Sequence, residues 1–190
     1  IYDGAVFATM AEIAPDLISR ILTLNGVSKS YSMTGWRIGY AAGAAPLIKA
    51  MAKIQSQSTS NPNSIAQWAA VAALTGPRDF MAPQLAIFDE RRALVTDRLN
   101  DIDGISCMKP AGAFYVYPSC AGLIGRATTD GIVLKTDSDV VTYFLEAEGV
   151  AMVPGVAFGL SPYFRISYAA ATDVLDDAMT RIARACAALR

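Results

Sequence analysis

Between Gly76-Pro77 and Gly104 the chain holds a stretch with no glycine and a single proline, Pro83, close to its start. Charged residues such as Asp89, Glu90, Arg91 and Arg92 alternate with apolar ones at helical spacing. Residues 79–103 are therefore expected to form one long amphipathic helix closed by Gly104. The sequence changes in texture across it. Upstream, strands are expected at residues 21–25 and 37–42 and a helix at 46–58. A second helix follows the cap at Asn63 and stops before Gly76-Pro77. Downstream come short strands at 105–109, 113–117, 150–153 and 163–168. A helix at 137–148, capped by Asp137 or Ser138 and ended by Gly149, and a last helix at 172–189 complete the pattern. The fold class is α/β: residues 1–85 as the end of a larger sheet domain and residues 86–190 as a small α+β domain, with the long helix between them.

Hydrophobic residues make up 53% of the chain and the net charge is −1. A core can be built, and no basic stripe marks a nucleic-acid partner. The apolar-looking stretches at 110–125 and 149–164 are broken by proline and glycine, so neither spans a membrane. Cys107, Cys120 and Cys186 are widely spaced, which suggests neither a disulfide framework nor a metal site and fits a reducing, cytoplasmic setting. The opening Ile1-Tyr2-Asp3 reads as a cut through a longer protein. Histidine is absent. That removes Ser-His-Asp and Cys-His catalysis and histidine-ligated metals together, leaving proton transfer to lysine, tyrosine, a carboxylate or a cofactor.

The segment NGVSKSYSMTGWRIGYAAG, residues 25–43, carries one lysine and one arginine in otherwise uncharged sequence. Lys29 follows an apolar strand, where open α/β sheets place their ligands. A solvated surface lysine is the plainer alternative. Met33, Trp36 and Ile38 lead us to expect partial burial, which with a nearby cation would favour the neutral amine that condenses with carbonyls. Arg37, expected on a strand opposite Trp36 and Ile38, needs an anion there, and its planar fork suits a phosphate or carboxylate. Lys29 and Arg37 could be far apart if the loop were extended, so it is expected to double back near Thr34-Gly35. Ser28 adds a donor. A cofactor with both a carbonyl and a phosphate, as in pyridoxal 5′-phosphate (PLP), meets these demands together.

S-K-x-Y-x-M-T-G-W-R-I-G resembles the lysine signature of the fold-type I, class I/II aminotransferases. TSNPNSIAQWAAVAAL, PAGAFYVYPSCAGLIG, LEAEGVAMVPGVAFG and FRISYA are similar to stretches of the same family, so the resemblance covers nearly the whole chain. It implies that Lys29 carries PLP as a Schiff base and moves the catalytic proton, that Ser28 and Arg37 hold the phosphate, and that Tyr2 contacts the cofactor's phenolic oxygen. Arg165, mid-strand in YFRISYA, would clamp the substrate α-carboxylate; a structural salt bridge is the alternative. The implied reaction joins an amino acid and a 2-oxo acid, with aspartate and 2-oxoglutarate expected, in a cytoplasmic homodimer. The chain would correspond to the C-terminal half of such an enzyme and, alone, would bind PLP weakly and not transaminate. Related enzymes acting on other amino acids share Lys29 and Arg165, and an aminotransferase-like sensor domain of a transcription regulator is the alternative reading.

Overall fold

A computed structural model describes residues 1–190. The chain divides into two compact units, Val6–Ala82 and Ile1–Ala5 with Pro83–Arg190. The division falls close to the start of the long helix, and the first five residues pack with the C-terminal unit.

In the N-terminal unit a short helix α1 (Met10–Ile13) and a 3-10 segment (Pro15–Arg20) lead to β1 (Thr23–Gly26), which pairs antiparallel with β2 (Gly39–Ala42). Gly26 faces Gly39 at the loop end of this ladder. A Cβ on Gly39 would stand 3.2 Å from the Asn25 carbonyl oxygen, so the close approach calls for glycine here. Helix α2 (Ala45–Ser58) starts with Pro46 in its first turn, where the missing N–H costs nothing. Helix α3 (Ser64–Thr75) is capped by Asn63, whose side-chain oxygen accepts from the Ile65 and Ala66 N–H groups at 2.9 and 3.1 Å. It buries only Ala66 and Ala70 and leaves Ile65, Trp68 and Val71 exposed.

The long helix is α4 (Met81–Asn100), with Pro83 in its first turn and Arg92, Val95, Thr96 and Leu99 buried. The C-terminal unit closes around a three-stranded antiparallel sheet in the order β3 (Tyr115–Val116), β5 (Phe164–Ser167), β4 (Val153–Pro154). Alternation along β5 turns Phe164 and Ile166 into the core, followed by Tyr168, and leaves Arg165 and Ser167 on the other face. Helix α5 (Asp137–Glu148) contributes Val140, Val141 and Phe144 to that core, and Phe144 meets Phe164 edge-on with ring centroids 6.0 Å apart. Helix α6 (Thr172–Ala187) buries Leu175, Met179, Ile182, Ala185 and Cys186, one stripe at helical spacing. Burial of each large apolar side chain in such a core contributes about 1.5–3 kcal/mol.

Four expectations are corrected. The strand expected at residues 105–109 is reduced to a single bridge, Ser106 to Ser119. The Asn100 side chain occupies the backbone of Cys107, accepting from its N–H at 2.7 Å and donating to its carbonyl at 2.9 Å, where a neighbouring strand would bond. The strand expected at 150–153 begins only at Val153, because the Val150 N–H returns to the Phe144 carbonyl in a Schellman-type cap around Gly149, whose φ is +68°. Helix α5 is capped by Thr136, not by Asp137 or Ser138: Thr136 and Asp139 form a reciprocal capping box. Arg37 is not on a strand. It ends a 3-10 turn (Thr34–Trp36) in the left-handed region, with φ +51°, and β2 starts two residues later.

Candidate active site

In the N-terminal unit the antiparallel closure of β1 on β2 folds residues 27–38 into one loop. Ser28, Lys29 and Arg37 all lie on it. Val27 is fully buried and anchors the loop base, and the Tyr31 N–H returns to its carbonyl at 3.3 Å. The Ser32 N–H then bonds the Lys29 carbonyl at 3.1 Å, which makes a tight turn at the lysine. The doubling back expected at Thr34-Gly35 is the 3-10 turn. One Nη of Arg37 donates to the Thr34 carbonyl at 3.1 Å, pinning the guanidinium to its own turn. No ion pair of the structure involves Arg37. Most of its donors remain open to an external anion.

Lys29 is exposed and Ser28 half-buried. The expected partial burial of Lys29 by Met33, Trp36 and Ile38 does not occur. Trp36, in the 3-10 turn, is itself 45% exposed.

In the C-terminal unit Arg165 stands on β5, opposite Val153 of β4. Its guanidinium carbon lies 4.5 Å from the ring centroids of both Tyr115 and Phe158. Two aromatic faces therefore fix its plane while supplying no hydrogen-bond acceptor. No ion pair involves Arg165, so the alternative of a structural salt bridge is not what the structure shows. A guanidinium packed against aromatic rings and without an ion-pair partner suits a planar carboxylate. Phe158 comes from a 3-10 turn (Gly155–Phe158) that follows β4 directly.

Tyr2 is buried in the same unit. Its hydroxyl donates to the Ala113 carbonyl at 2.8 Å, and Tyr168 donates to the same oxygen at 2.9 Å. The two hydroxyls are 3.4 Å apart, and burial first, then this contact, push the Tyr168 hydroxyl above the usual phenol range. Tyr2 would have to leave Ala113 before donating elsewhere, and Tyr168 could keep that carbonyl satisfied. No group of acidic, cysteine or histidine side chains could hold a metal ion.

Sequence reasoning passes over Phe158, reads the Phe114–Tyr117 run as a strand with one buried face rather than a stacking platform, and reads Asp137 as a cap. The aromatic pair gave no signal beyond an alternating strand and a Pro-Gly turn, because a ring stacked on a cation is visible only once strand pairing is known. The 2% exposed Asp137 carboxyl instead accepts from the Val156 N–H at 3.0 Å and from the Ser161 hydroxyl.

A lysine and an arginine on one strand-to-strand loop, and an arginine beside two aromatic rings on a second sheet, are groups that can meet carbonyl and anionic ligands. The chain belongs to the aminotransferase class I and II family, whose sequence model matches residues 1–182. It is 56% identical over 98% of its length to an aspartate aminotransferase of Rhizobium meliloti, covering 45% of that protein. It is 54% identical over its whole length to an aspartate/prephenate aminotransferase of Cereibacter sphaeroides, covering 47% of that protein. The crystal structure of the Rhizobium meliloti aspartate aminotransferase matches with a TM-score of 0.97 at 55% identity, over 100% of this chain and 48% of that one. An aromatic aminotransferase of Pyrococcus horikoshii matches with a TM-score of 0.81 at 37% identity, over 97% and 47% of the respective chains. The chain thus spans about half the length of the curated relatives it matches.

Proposed function

We propose that this chain forms part of a PLP-dependent aminotransferase acting on an amino acid and a 2-oxo acid, with aspartate and 2-oxoglutarate as the substrates. The names of the relatives support aspartate as the amino acid. The observation that carries the reading is the closure of β1 on β2, which places Lys29, Ser28 and Arg37 on one loop with both cations exposed. An amine, a hydroxyl and a guanidinium fit the aldehyde and phosphate of PLP. Ser28 and Arg37 would hold the phosphate, and Lys29 the aldehyde end. When bound, PLP supplies an electron sink for the bonds at the substrate's α-carbon. Lys29 Nζ would carry the proton at that carbon, the role that the resemblance to the family implies for it. Arg165 holds the α-carboxylate common to both substrates by paired N–H donors. Tyr2 would serve the cofactor's phenolic oxygen after releasing Ala113.

A cytoplasmic homodimer is part of the same reading. Ile54, Ile65 and Trp68 are apolar surface that an assembly would cover. Three free buried thiols suit a reducing compartment, and no helix is long and apolar enough to cross a membrane. These residues by themselves are expected not to transaminate. The experiment is absorbance of a full-length protein carrying this chain, with PLP and then with aspartate. A cofactor band that aspartate bleaches is expected, and Lys29→Ala should abolish the covalently bound form. A band retained at full strength in Lys29→Ala would overturn the assignment.

A further inference from the structure

The carboxyl of Asp137 sits in the first turn of α5 without serving the helix. Thr136 and Asp139 already satisfy that terminus through their capping box. One Asp137 oxygen instead accepts from the Val156 N–H and the Ser161 hydroxyl, on either side of Phe158. The same turn is held from a second direction by Tyr117, whose hydroxyl donates towards the Gly155 and Leu160 carbonyls at 3.1 and 3.2 Å. Tyr117 is stacked on Tyr163 with centroids 5.4 Å apart and planes 6° from parallel. The seat is tight: a Cβ on Gly155 would stand 2.7 Å from the Tyr163 carbonyl oxygen. At the far end of the turn, Phe158 covers the Arg165 guanidinium.

Asp137 makes no ion pair with Arg165. Its hydrogen bonds go to the turn, so it does not compete with a substrate carboxylate for the guanidinium fork. We propose that Asp137 is a positioning residue for carboxylate recognition, anchoring the turn Gly155–Phe158 to the start of α5 so that Phe158 and Tyr115 hold Arg165 in the plane that receives a substrate carboxylate. The proposal rests on the reading of Arg165 as the carboxylate-binding group. The role is one of hydrogen-bond acceptance, so an amide oxygen in the same place can fill it.

The test uses a full-length holoenzyme carrying this chain, with succinate as a dicarboxylate that cannot react. Its Kd is measured by calorimetry, beside KM and kcat for aspartate. In Asp137→Ala the succinate Kd and the aspartate KM are expected to rise about tenfold, with kcat and the cofactor band changed less than about twofold. Asp137→Asn should return both constants to within about threefold of the parent, and Ser161→Ala should raise them about threefold. Arg165→Ala reads the underlying assignment separately and should lose succinate binding. If Arg165→Ala binds succinate normally, the carboxylate assignment fails. If Arg165→Ala loses binding while Asp137→Ala keeps it, only the role of Asp137 is overturned. Should Asp137→Ala not fold, unchanged succinate binding in Ser161→Ala overturns the anchoring role in its place.

Discussion

Arg92 and Asp3 form a bidentate pair, Nη1 to Oδ2 at 2.7 Å and Nη2 to Oδ1 at 2.8 Å, in which the arginine side chain is 0% exposed and the aspartate 61%. The same guanidinium donates to Asp89 and to the Pro110 carbonyl, and its carbon stands 4.1 Å from the Tyr2 ring centroid. A fully covered cation is tolerated because every edge of its fork meets an acceptor. Lysine cannot reproduce that fork. Arg92→Lys is expected to lower unfolding stability by about 2 kcal/mol, measured by urea titration, through lost charge-assisted bonds. Arg92→Met should also loosen residues 1–5 from the C-terminal unit, read as faster proteolysis near Tyr2.

Acid should weaken the C-terminal unit through three carboxyls. The Arg92 hydrogen bond holds Asp3 below its ordinary value near 3.8. Backbone and Thr136 donors do the same for Asp139, and Arg184 does so for Glu148, whose ordinary value is 4.5. Each binds its proton less readily when folded than when unfolded, so its stabilisation is complete above the unfolded value and fades as pH falls through the folded one. Melting temperature is expected to stay flat from pH 7 to about 5 and to fall below about 4. In Asp139→Asn that acid limb should be shallower, and an identical limb would show that Asp139 takes no part.

The contrast between α5 and the lysine loop shows what the sequence carries. The bounds of α5 were legible because caps and apolar spacing are local, yet the capping residue was misplaced by one. Asp137 has the right chemistry for a cap, and only the distant Val156 and Ser161 draw it away. The strand at residues 105–109 failed for a similar reason, since a side chain of α4, Asn100, supplies the bonds a strand partner would. Ser28, Lys29, Arg37 and Arg165 stand out in the sequence by residue type against an apolar background. What the sequence could not show was the left-handed backbone of Arg37, the exposure of Lys29 or the rings around Arg165. Each of these depends on how the chain returns on itself.

The capping box gives a direct check. Thr136→Ala removes the acceptor for the Asp139 N–H and is expected to cost about 1 kcal/mol. Ser138→Ala, at a position the sequence also offered as a cap, should change stability by less than about 0.5 kcal/mol. Equal effects of the two in thermal unfolding would contradict the observed cap.

Cys107, Cys120 and Cys186 are buried and free. Burial pushes their thiols up to about 11, about 11 and about 12 respectively, from an ordinary value of 9.0. Thiolate is the reactive form, so a disulfide-exchange reagent at pH 8 should label none of them in the folded protein and all of them in denaturant. Because the folded thiols keep protons that unfolded ones lose, their contribution to stability is full below pH 9 and fades as pH rises towards 11. Rapid labelling without unfolding would mean that these residues are reached by solvent.

Arg165 offers the sharpest separation of charge from geometry. Its guanidinium carbon stands 4.5 Å from the ring centroids of both Tyr115 and Phe158, and no carboxylate of the chain forms an ion pair with it. Arg165→Lys keeps a positive charge on β5 but removes the parallel pair of N–H donors and the flat surface the rings hold. The KM for aspartate is expected to rise by about tenfold to a hundredfold in a full-length enzyme carrying this chain, for a loss of one strong hydrogen bond or two. The cofactor band should be unchanged, because Lys29, Ser28 and Arg37 belong to a different loop. A lysine variant with the parent's KM would show that a point charge suffices at this position, and that the aromatic grip on Arg165 serves only packing.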